Sequence, residues 1–312
     1  MDVGLGSLGV MIFFSISGFL ISQSWRQDPH AVRFLLKRFL RIWPALAMVT
    51  FISAVVLGPL LSTLPWKSYF LHPDFLDFFN NLKLVVIRYQ LPGVFEDNIY
   101  PRAVNGSLWT IPLEVRFYLC LLLLGFIGIT RKPVLILLGA LLYGIYFFAV
   151  APKTTNYQSY YGLFFLSGVC LDLFRKQWEA KVLALLGAAL LSSVVFYFSD
   201  ASRVALLCLI PAFSIFFGSR STSGFNNFGK FGDISYGMYI YAFPVQQTVL
   251  SLADKNHSFW LTLFAVACIT VLCALISWRF VERPALNLKS RINRKKPVLA
   301  GSALSERGLE KS

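Results

Sequence analysis

Residues 105–128 read NGSLWTIPLEVRFYLCLLLLGFIG. A polar opening leads into an apolar run long enough to cross a bilayer, for which about 20 residues are needed. Glu114 and Arg116 nevertheless lie inside this run. Residues two apart on a helix are separated by roughly 200° of rotation, so these side chains point to different faces and cannot pair with each other. Charges at this depth mark either a functional site or a buried ion pair with another helix.

The rest of the chain is similarly apolar. It has 312 residues, of which 56% are hydrophobic, and its mean hydropathy is +0.64. Apolar runs of suitable length lie near 4–24, 43–64, 108–129, 133–151, 158–174, 182–199, 203–218, 234–252 and 259–280. Continuous runs of this length are typical of helices and not of the alternating strands of an outer-membrane barrel. The sequence therefore predicts an all-α polytopic membrane protein, a bundle of about nine transmembrane helices.

The net charge of +14 follows membrane sidedness and does not indicate a nucleic-acid partner. If residues 25–42 face the cytoplasm and the sides alternate, the cytoplasmic segments hold 21 of the lysines and arginines, and the opposite side holds 7. This bias matches the positive-inside rule, which places the C-terminus in the cytoplasm. We therefore expect residues 1–286 to form the transmembrane domain, and residues 287–312 to form a basic, disordered cytoplasmic tail.

Residues 30–44 read HAVRFLLKRFLRIWP and predict a basic amphipathic helix in the cytoplasmic interface. Arg33, Lys37 and Arg41 follow one another at four-residue spacing, with Arg38 beside them. Two interpretations remain open for these side chains. They anchor the helix to anionic lipid headgroups, or they bind the phosphates of a ligand, since guanidinium groups form paired hydrogen bonds with phosphate oxygens.

The outer segment, residues 65–107, is rich in aromatic side chains. Its part at 75–89 reads FLDFFNNLKLVVIRY, which is too charged to span a membrane easily. We interpret this part as an interfacial helix over the outer mouth of the bundle. The aromatic rings either stack on a saccharide or anchor the chain in the aromatic belt of the membrane interface.

Polar residues inside the predicted helices give the candidate site. A stripe at helical spacing points into the bundle and comprises Ser107, Thr110, Glu114 and Tyr118. Tyr236 and Tyr239 lie on one side of the eighth run. Glu282 lies at the cytoplasmic end of the last run, where a salt bridge at the helix end is the simpler explanation.

The first run carries small polar residues among aromatic ones, at Ser15, Ser17 and Gly18. Such a surface suits close packing of another helix or the approach of a slender substrate. The five cysteines are scattered within predicted helices, which argues against a disulfide framework and against a metal site.

Five motifs follow one another along the chain: GVMIFFSISGFLIS, RFLLKRFLRIWPAL, NGSLWTIPLEVRFYL, DISYGMYIYAFPVQQ and FVERPAL. Together they resemble the membrane-bound acyltransferase 3 family over nearly all of residues 1–286. The resemblance implies an integral enzyme of the bacterial inner membrane. Such an enzyme moves an acyl group, often acetyl, from cytoplasmic acyl-coenzyme A to a hydroxyl of an extracytoplasmic or lipid-linked saccharide.

The same resemblance implies roles for individual residues. Arg38 and Arg41 match the paired arginines of the family, Glu114 matches the glutamate that follows SLW, and Glu282 matches the acidic residue of the closing motif. We expect catalysis by Glu114, Tyr236 and Tyr239, donor binding by Arg33, Lys37, Arg38 and Arg41, and acceptor binding by Ser107, Trp109, Arg116 and Glu282. We expect no metal and no tightly bound cofactor, because acyl-coenzyme A is a substrate. The remaining expected partners are membrane lipids and the saccharide.

Two features depart from the family pattern. The histidine that family members commonly have in YLxHFP is Ala242 here, and the family's first helix, with an arginine and a histidine, has no counterpart. We therefore expect that the chain lacks a first helix, which would supply the histidine and close the bundle beside Ser15, Ser17 and Gly18. Two alternatives follow: a transporter that flips a lipid-linked saccharide, or a truncated, inactive acyltransferase.

Overall fold

The computed structural model describes residues 4–150, 157–199, 201–219, 233–253 and 258–293. Within these ranges the chain is helical and contains no named strand. The long helices are α1 (Leu5–Gln27), α2 (Ala31–Phe51), α3 (Thr110–Phe126), α4 (Pro133–Ile145), α5 (Tyr157–Leu173), α6 (Val182–Phe198), α7 (Ser202–Ser219), α8 (Ser235–Leu252), α9 (Phe259–Ser277) and α10 (Arg283–Asn293). Each of the nine predicted apolar runs overlaps one of the helices α1 to α9, so the all-α prediction is confirmed.

Five helical segments of the described chain are long and apolar enough to cross a membrane. They are Leu5–Gln27, Ala31–Leu61, Gly106–Phe126, Ser202–Ser219 and Phe259–Leu288. Pro133–Ala149 and Val182–Phe198 are apolar but shorter. The chain is therefore a multi-pass membrane protein, and the count of nine crossings stays a prediction.

Helix α2 contains the basic segment and continues beyond Pro44. Residues Ala31–Phe51 form one α-helix, followed by the π-helical segment Ile52–Leu57 and a final α-helical turn. The basic segment is therefore helical, as predicted, but it is the first part of a longer helix, and its place in the cytoplasmic interface stays a prediction. Proline removes one backbone N–H, which transmembrane helices tolerate where neighbouring helices pack against them. The buried positions Ile42 and Leu46 on either side of Pro44 provide this packing.

Helices α1 and α5 cross at unusually close range. A Cβ atom added to Gly18 would collide with the backbone carbonyl of Phe165, and one added to Gly168 would collide with the backbone carbonyl of Ser15. Small residues at both positions let the two backbones touch. The interpretation of Ser15 and Gly18 as a packing surface is therefore confirmed.

An interfacial helix over 75–89 was predicted, but the outer segment does not form one continuous helix there. Pro73–Phe78 is α-helical, Phe79–Lys83 is a 3-10 helix, and Leu84 then adopts a left-handed conformation with φ of 61°. The side chain of Asn81 explains this early end. Its Nδ2 donates to the carbonyl of Arg88 at 2.9 Å and its Oδ1 accepts from the N–H of the same residue at 2.7 Å. These bonds hold residues 84–88 in a loop.

The end of the outer segment is fixed to α8 by buried amides. Gln247 is 1% exposed and donates from Nε2 to the carbonyl of Tyr100 at 2.7 Å. Asn98 donates in turn to the carbonyl of Gln247 at 2.9 Å. Just before α3, the side chain of Asn105 donates to the carbonyl of Ile240 at 2.9 Å. These bonds set the position of α3 against α8, which brings the candidate site together.

The last helical region changes geometry near its C-terminal end. Helix α9 continues as the π-helical segment Trp278–Glu282 and then as α10, which ends at Asn293. The beginning of the predicted tail is therefore helical. Residues 294–312 lie outside the described residues, and so does the expectation of disorder for them.

Candidate active site

Glu114 lies at the centre of a polar cluster between α2, α3 and α8. The residue is only 7% exposed. Tyr118, one helical turn later, donates a hydrogen bond from its hydroxyl to Oε1 of Glu114. The polar stripe predicted from four-residue spacing is therefore present, with its carboxylate turned into the bundle.

Arg38 extends this cluster from α2. Its guanidinium carbon lies 5.9 Å from the centre of the Tyr118 ring, a cation–π contact. Arg38 and Arg41 are both close enough to act electrostatically on Glu114. The Nε atom of Arg38 is buried and has no hydrogen-bond partner among the described residues. Buried donors are normally paired, so an unpaired one beside a carboxylate is suited to binding a ligand.

Arg41 is held between α2 and the start of α8. Its guanidinium contacts Oδ2 of Asp233 at 2.7 Å and lies 5.8 Å from the centre of the Tyr236 ring. The other oxygen of Asp233 accepts the hydroxyl of Ser235 at 2.5 Å, which fixes the carboxylate. The hydroxyl of Tyr236 donates to the carbonyl of Ile42 at 2.9 Å. These contacts position α8 against α2 and orient Arg41 toward the cluster.

Glu282 approaches the same cluster from the π-helical segment after α9. It is 2% exposed, and its Oε1 accepts the hydroxyl of Ser277 at 3.0 Å. Its Oε2 is buried without a hydrogen-bond partner in the described part of the chain. Gly237 provides the space, since a Cβ there would lie 3.1 Å from Oε1. No ion pair of Glu282 is present among the described residues, so the predicted salt bridge at the helix end does not form there.

Tyr239 forms a second polar layer, one helical turn above Glu114. Its hydroxyl donates to the carbonyl of Ser107 at 2.6 Å and lies 2.8 Å from Oγ1 of Thr110. Trp109 packs against Tyr161 with a ring separation of 5.4 Å. Tyr239 therefore reaches the polar stripe of α3, whereas the hydroxyl of Tyr236 is directed at the backbone of α2.

Arg33 and Lys37 form a separate ion cluster with Asp28. The carboxylate of Asp28 contacts the guanidinium of Arg33 at 2.5 Å and the ammonium of Lys37 at 2.7 Å. The hydrogen bonds from Arg33 and then from Lys37 hold the pKa of Asp28 well below its usual value. These two cations are therefore already paired at the beginning of α2, unlike Arg38.

Arg116 lies on the exposed face of α3, opposite the buried face that carries Glu114. The 200° separation expected from the sequence is therefore present. No hydrogen bond or ion pair joins Arg116 to another described residue. The structure does not bring Arg116 together with the other predicted site residues.

Sequence reasoning missed three partners of the predicted site residues. Asp28 and Asp233 each come just before a helix, a position that favours aspartate for capping reasons alone and so gave no indication of an ion pair. Ser277 precedes Glu282 by five residues, which places the two on one face of a π-helix but not of an α-helix. Recognition of the π-helical segment would have predicted this contact.

The acyltransferase domain of the acyltransferase 3 family matches residues 1–279. The chain belongs to this family. Over 298 residues, which cover 91% of this chain and 86% of the relative, it is 27% identical to an O-acetyl transferase of Shigella phage Sf6. It is 26% identical over 319 residues to nodulation protein 10 of Rhizobium leguminosarum bv. viciae, covering 93% of this chain and 85% of the relative. No solved structure matches the chain significantly.

Membership of this family identifies the protein as an acyltransferase and decides against the transporter alternative. Acyl transfer from a thioester requires a base for the attacking hydroxyl and donors for the oxyanion. Glu114 is a buried carboxylate, the Nε of Arg38 is a buried donor without a partner among the described residues, and both side chains contact Tyr118. Of the three histidines, His30 caps the N-terminus of α2 and His72 caps that of Pro73–Phe78. His257 lies outside the described residues. The described cluster is thus built from carboxylates, arginines and tyrosines.

Proposed function

We propose that the chain transfers an acyl group, acetyl in the simplest case, from acyl-coenzyme A to a hydroxyl of an extracytoplasmic or lipid-linked saccharide. The reaction takes place in the bacterial inner membrane, with the C-terminus in the cytoplasm. The name O-acetyl transferase of the phage relative supports acetyl as the group and oxygen as its acceptor. The basic bias of the predicted cytoplasmic segments supports the orientation.

One observation carries this proposal: the buried carboxylate of Glu114 and the guanidinium of Arg38, whose Nε has no partner among the described residues, both contact the side chain of Tyr118. A carboxylate in this position can accept the proton of an attacking hydroxyl. A guanidinium in this position can stabilise negative charge on the carbonyl oxygen of a thioester. Both groups are held by Tyr118, which is hydrogen-bonded to one and stacked against the other.

Glu114 and Arg38 are sufficient to account for every bond and proton in the acyl-transfer step. The hydroxyl oxygen of the acceptor bonds to the carbonyl carbon of the thioester, while Glu114 takes the hydroxyl proton. The carbon–sulfur bond then breaks, and the thiolate of coenzyme A receives the proton from Glu114. Arg38 binds the carbonyl oxygen while it carries negative charge. Tyr239, with Ser107 and Trp109, orients the acceptor from the outer side.

The four basic residues of α2 bind different parts of the donor. Arg33 and Arg41 are eight residues apart, which is about 12 Å along a helix. Arg33 and Lys37, at the beginning of the helix, meet the phosphates of coenzyme A, and Arg38 and Arg41 meet the thioester end. Glu282 orients Arg41 or an acceptor hydroxyl through its free oxygen. Arg116 has no part in this proposal, because it lies on the opposite face of α3.

The experiment that tests the proposal needs no knowledge of the acceptor. Membranes from bacteria that express the chain are incubated with acetyl-coenzyme A labelled in its acetyl group, and the lipid-linked and polysaccharide fractions are then extracted. We expect label in one of these fractions, released by mild base as acetate, and absent from membranes without the chain. Equal labelling with and without the chain would contradict the proposal and would favour the inactive form considered from the sequence.

A further inference from the structure

Arg116 occupies a position that a lipid-facing arginine does not normally have. It is the midpoint of the apolar segment Gly106–Phe126, which has 21 residues and is long enough to span a membrane. Ten residues separate it from either end, or about 15 Å of helix. Arginine side chains close to a helix end reach the headgroups by extending along the helix, but at the midpoint an extended side chain covers only part of this distance.

The surroundings of Arg116 form a continuous exposed stripe on α3. Leu119 is 44% exposed, Leu123 is 63% exposed, and Cys120 is also exposed. These residues follow Arg116 at spacings of three, four and seven, so they share one helix face. Leu119 and Leu123 are compatible with lipid or with a packed helix. The guanidinium is compatible only with a surface that carries negative charge or a hydrogen-bond acceptor.

A second copy of this chain cannot provide that charge from its described membrane segments. Their carboxylates are Glu114, Asp172 and Glu282, which are 7%, 0% and 2% exposed. Asp172 is paired with Arg26 at 2.5 Å, and the other two belong to the site described above. The required anion therefore comes from a different molecular surface.

We propose that the stripe of Arg116, Leu119, Cys120 and Leu123 docks a further transmembrane helix that carries an aspartate or glutamate near its midpoint. The charge of Arg116 specifies the partner's carboxylate and its depth. The leucines on the following turns supply the apolar part of the contact. An intramembrane ion pair of this kind satisfies both charges, which are otherwise costly in hydrocarbon.

The test uses the purified chain in vesicles of neutral phosphatidylcholine and a synthetic probe. The probe is a polyleucine transmembrane peptide of about 20 residues with one central glutamate and a dansyl group, which accepts energy from tryptophan. A matched peptide has glutamine in place of the glutamate. We expect the glutamate peptide to bind about threefold to tenfold more tightly than the glutamine peptide, as measured by energy transfer, which is the range for polar contacts between membrane helices.

Variants of Arg116 show where on the chain the glutamate peptide binds. Arg116→Leu should abolish the preference for glutamate, and Arg116→Lys, which keeps the charge, should retain it. The bound glutamate peptide should also slow maleimide labelling of Cys120 but not of Cys268, which is exposed on α9. Equal binding of both peptides, or a preference that persists in Arg116→Leu, would overturn the proposal. Loss of the preference in vesicles containing phosphatidylglycerol would also overturn it, because a lipid headgroup would then be the partner.

Discussion

Arg33 and Arg38 lie on the same helix but differ in whether their side chains already have a charged partner. Arg33 is paired with Asp28 at the beginning of α2, while Arg38, little more than one turn later, has a buried nitrogen without a partner among the described residues. Helical spacing grouped four cations together, and only the family resemblance singled out Arg38 and Arg41. The spacing could not separate them, because the difference depends on Asp28 folding back onto α2 and on the ring of Tyr118 covering Arg38.

The first prediction compares arginines within this cluster. Arg41→Ala should raise the KM for acetyl-coenzyme A by about tenfold to a hundredfold, the range for loss of a hydrogen bond to a charged group. Arg33→Ala should raise it less, because the side chain of Arg33 is 39% exposed and that of Arg41 only 25%, and charge pairs in water are weaker than partly buried ones. Donor titrations of the transfer reaction measure both values. Equal effects of the two substitutions would show that Arg33 and Arg41 bind the donor in the same way.

A second prediction concerns Asp28 and pH. Its folded-state pKa lies below the unfolded value of about 3.9, so its ion pairs contribute their full stability above the unfolded pKa, and this contribution is lost as pH falls from that value through the lower folded pKa. The difference in melting temperature between the wild type and Asp28→Asn should therefore be the same at pH 7 and at pH 5, and smaller at pH 3. A difference that stays the same from pH 7 to pH 3 would mean that Asp28 does not have a lowered pKa.

At the level of elements, hydropathy predicted the helices well and their ends less well. Each apolar run became a helix because backbone groups in lipid must bond within their own segment. The residues at which the helices end were harder to predict. A proline such as Pro44 is expected to end a helix, yet α2 continues through it. The packing of the buried side chains of Ile42 and Leu46 stabilises the helix by more than the missing backbone hydrogen bond costs. The apolar part of 75–89 reads as a helix, yet side-chain hydrogen bonds of Asn81 end it.

A third prediction tests the crossing of α1 and α5. Gly18→Ala should lower the free energy of unfolding by about 1–3 kcal/mol, the usual cost of overpacking, because its new Cβ meets the carbonyl of Phe165. Gly9→Ala on the same helix is the matched control. Nothing lies within 4 Å of its new Cβ, so it should be neutral or stabilising by up to about 1 kcal/mol. Thermal unfolding in detergent compares them, and an equal effect of both would contradict the close crossing.

For the whole molecule, the sequence located most of the candidate site but not its assembly. The sequence placed the paired arginines in the cytoplasmic interface for donor binding, and Glu114 inside a membrane helix for catalysis. The structure instead places Arg38 and Arg41 within electrostatic reach of Glu114. This convergence depends on the outer segment, whose residues Asn98 and Asn105 fix α3 against α8 over a sequence separation that no local pattern reveals.

A fourth prediction concerns orientation in the membrane. Single cysteines are introduced at Ser302 and at Glu96 of a variant without the native cysteines, and intact cells are treated with a membrane-impermeant thiol reagent. The excess of basic residues on one side predicts labelling at Glu96 and protection at Ser302. Glu96 is exposed, which makes it a suitable outer reporter. Labelling at Ser302 with protection at Glu96 would reverse the orientation.

The most direct test of the account is acetyl transfer by Glu114→Gln. This change keeps the size of the side chain but removes the carboxylate that we propose as the proton acceptor, so the rate of labelling of the glycan fraction should fall by about 10² to 10⁴. Glu96→Gln, the same change on the exposed outer segment, should leave the rate within a factor of about two, since surface substitutions of this kind have small effects. Tryptophan fluorescence and thermal unfolding confirm that both variants fold. A Glu114→Gln variant that is folded and transfers acetyl at the wild-type rate would contradict the central role of Glu114.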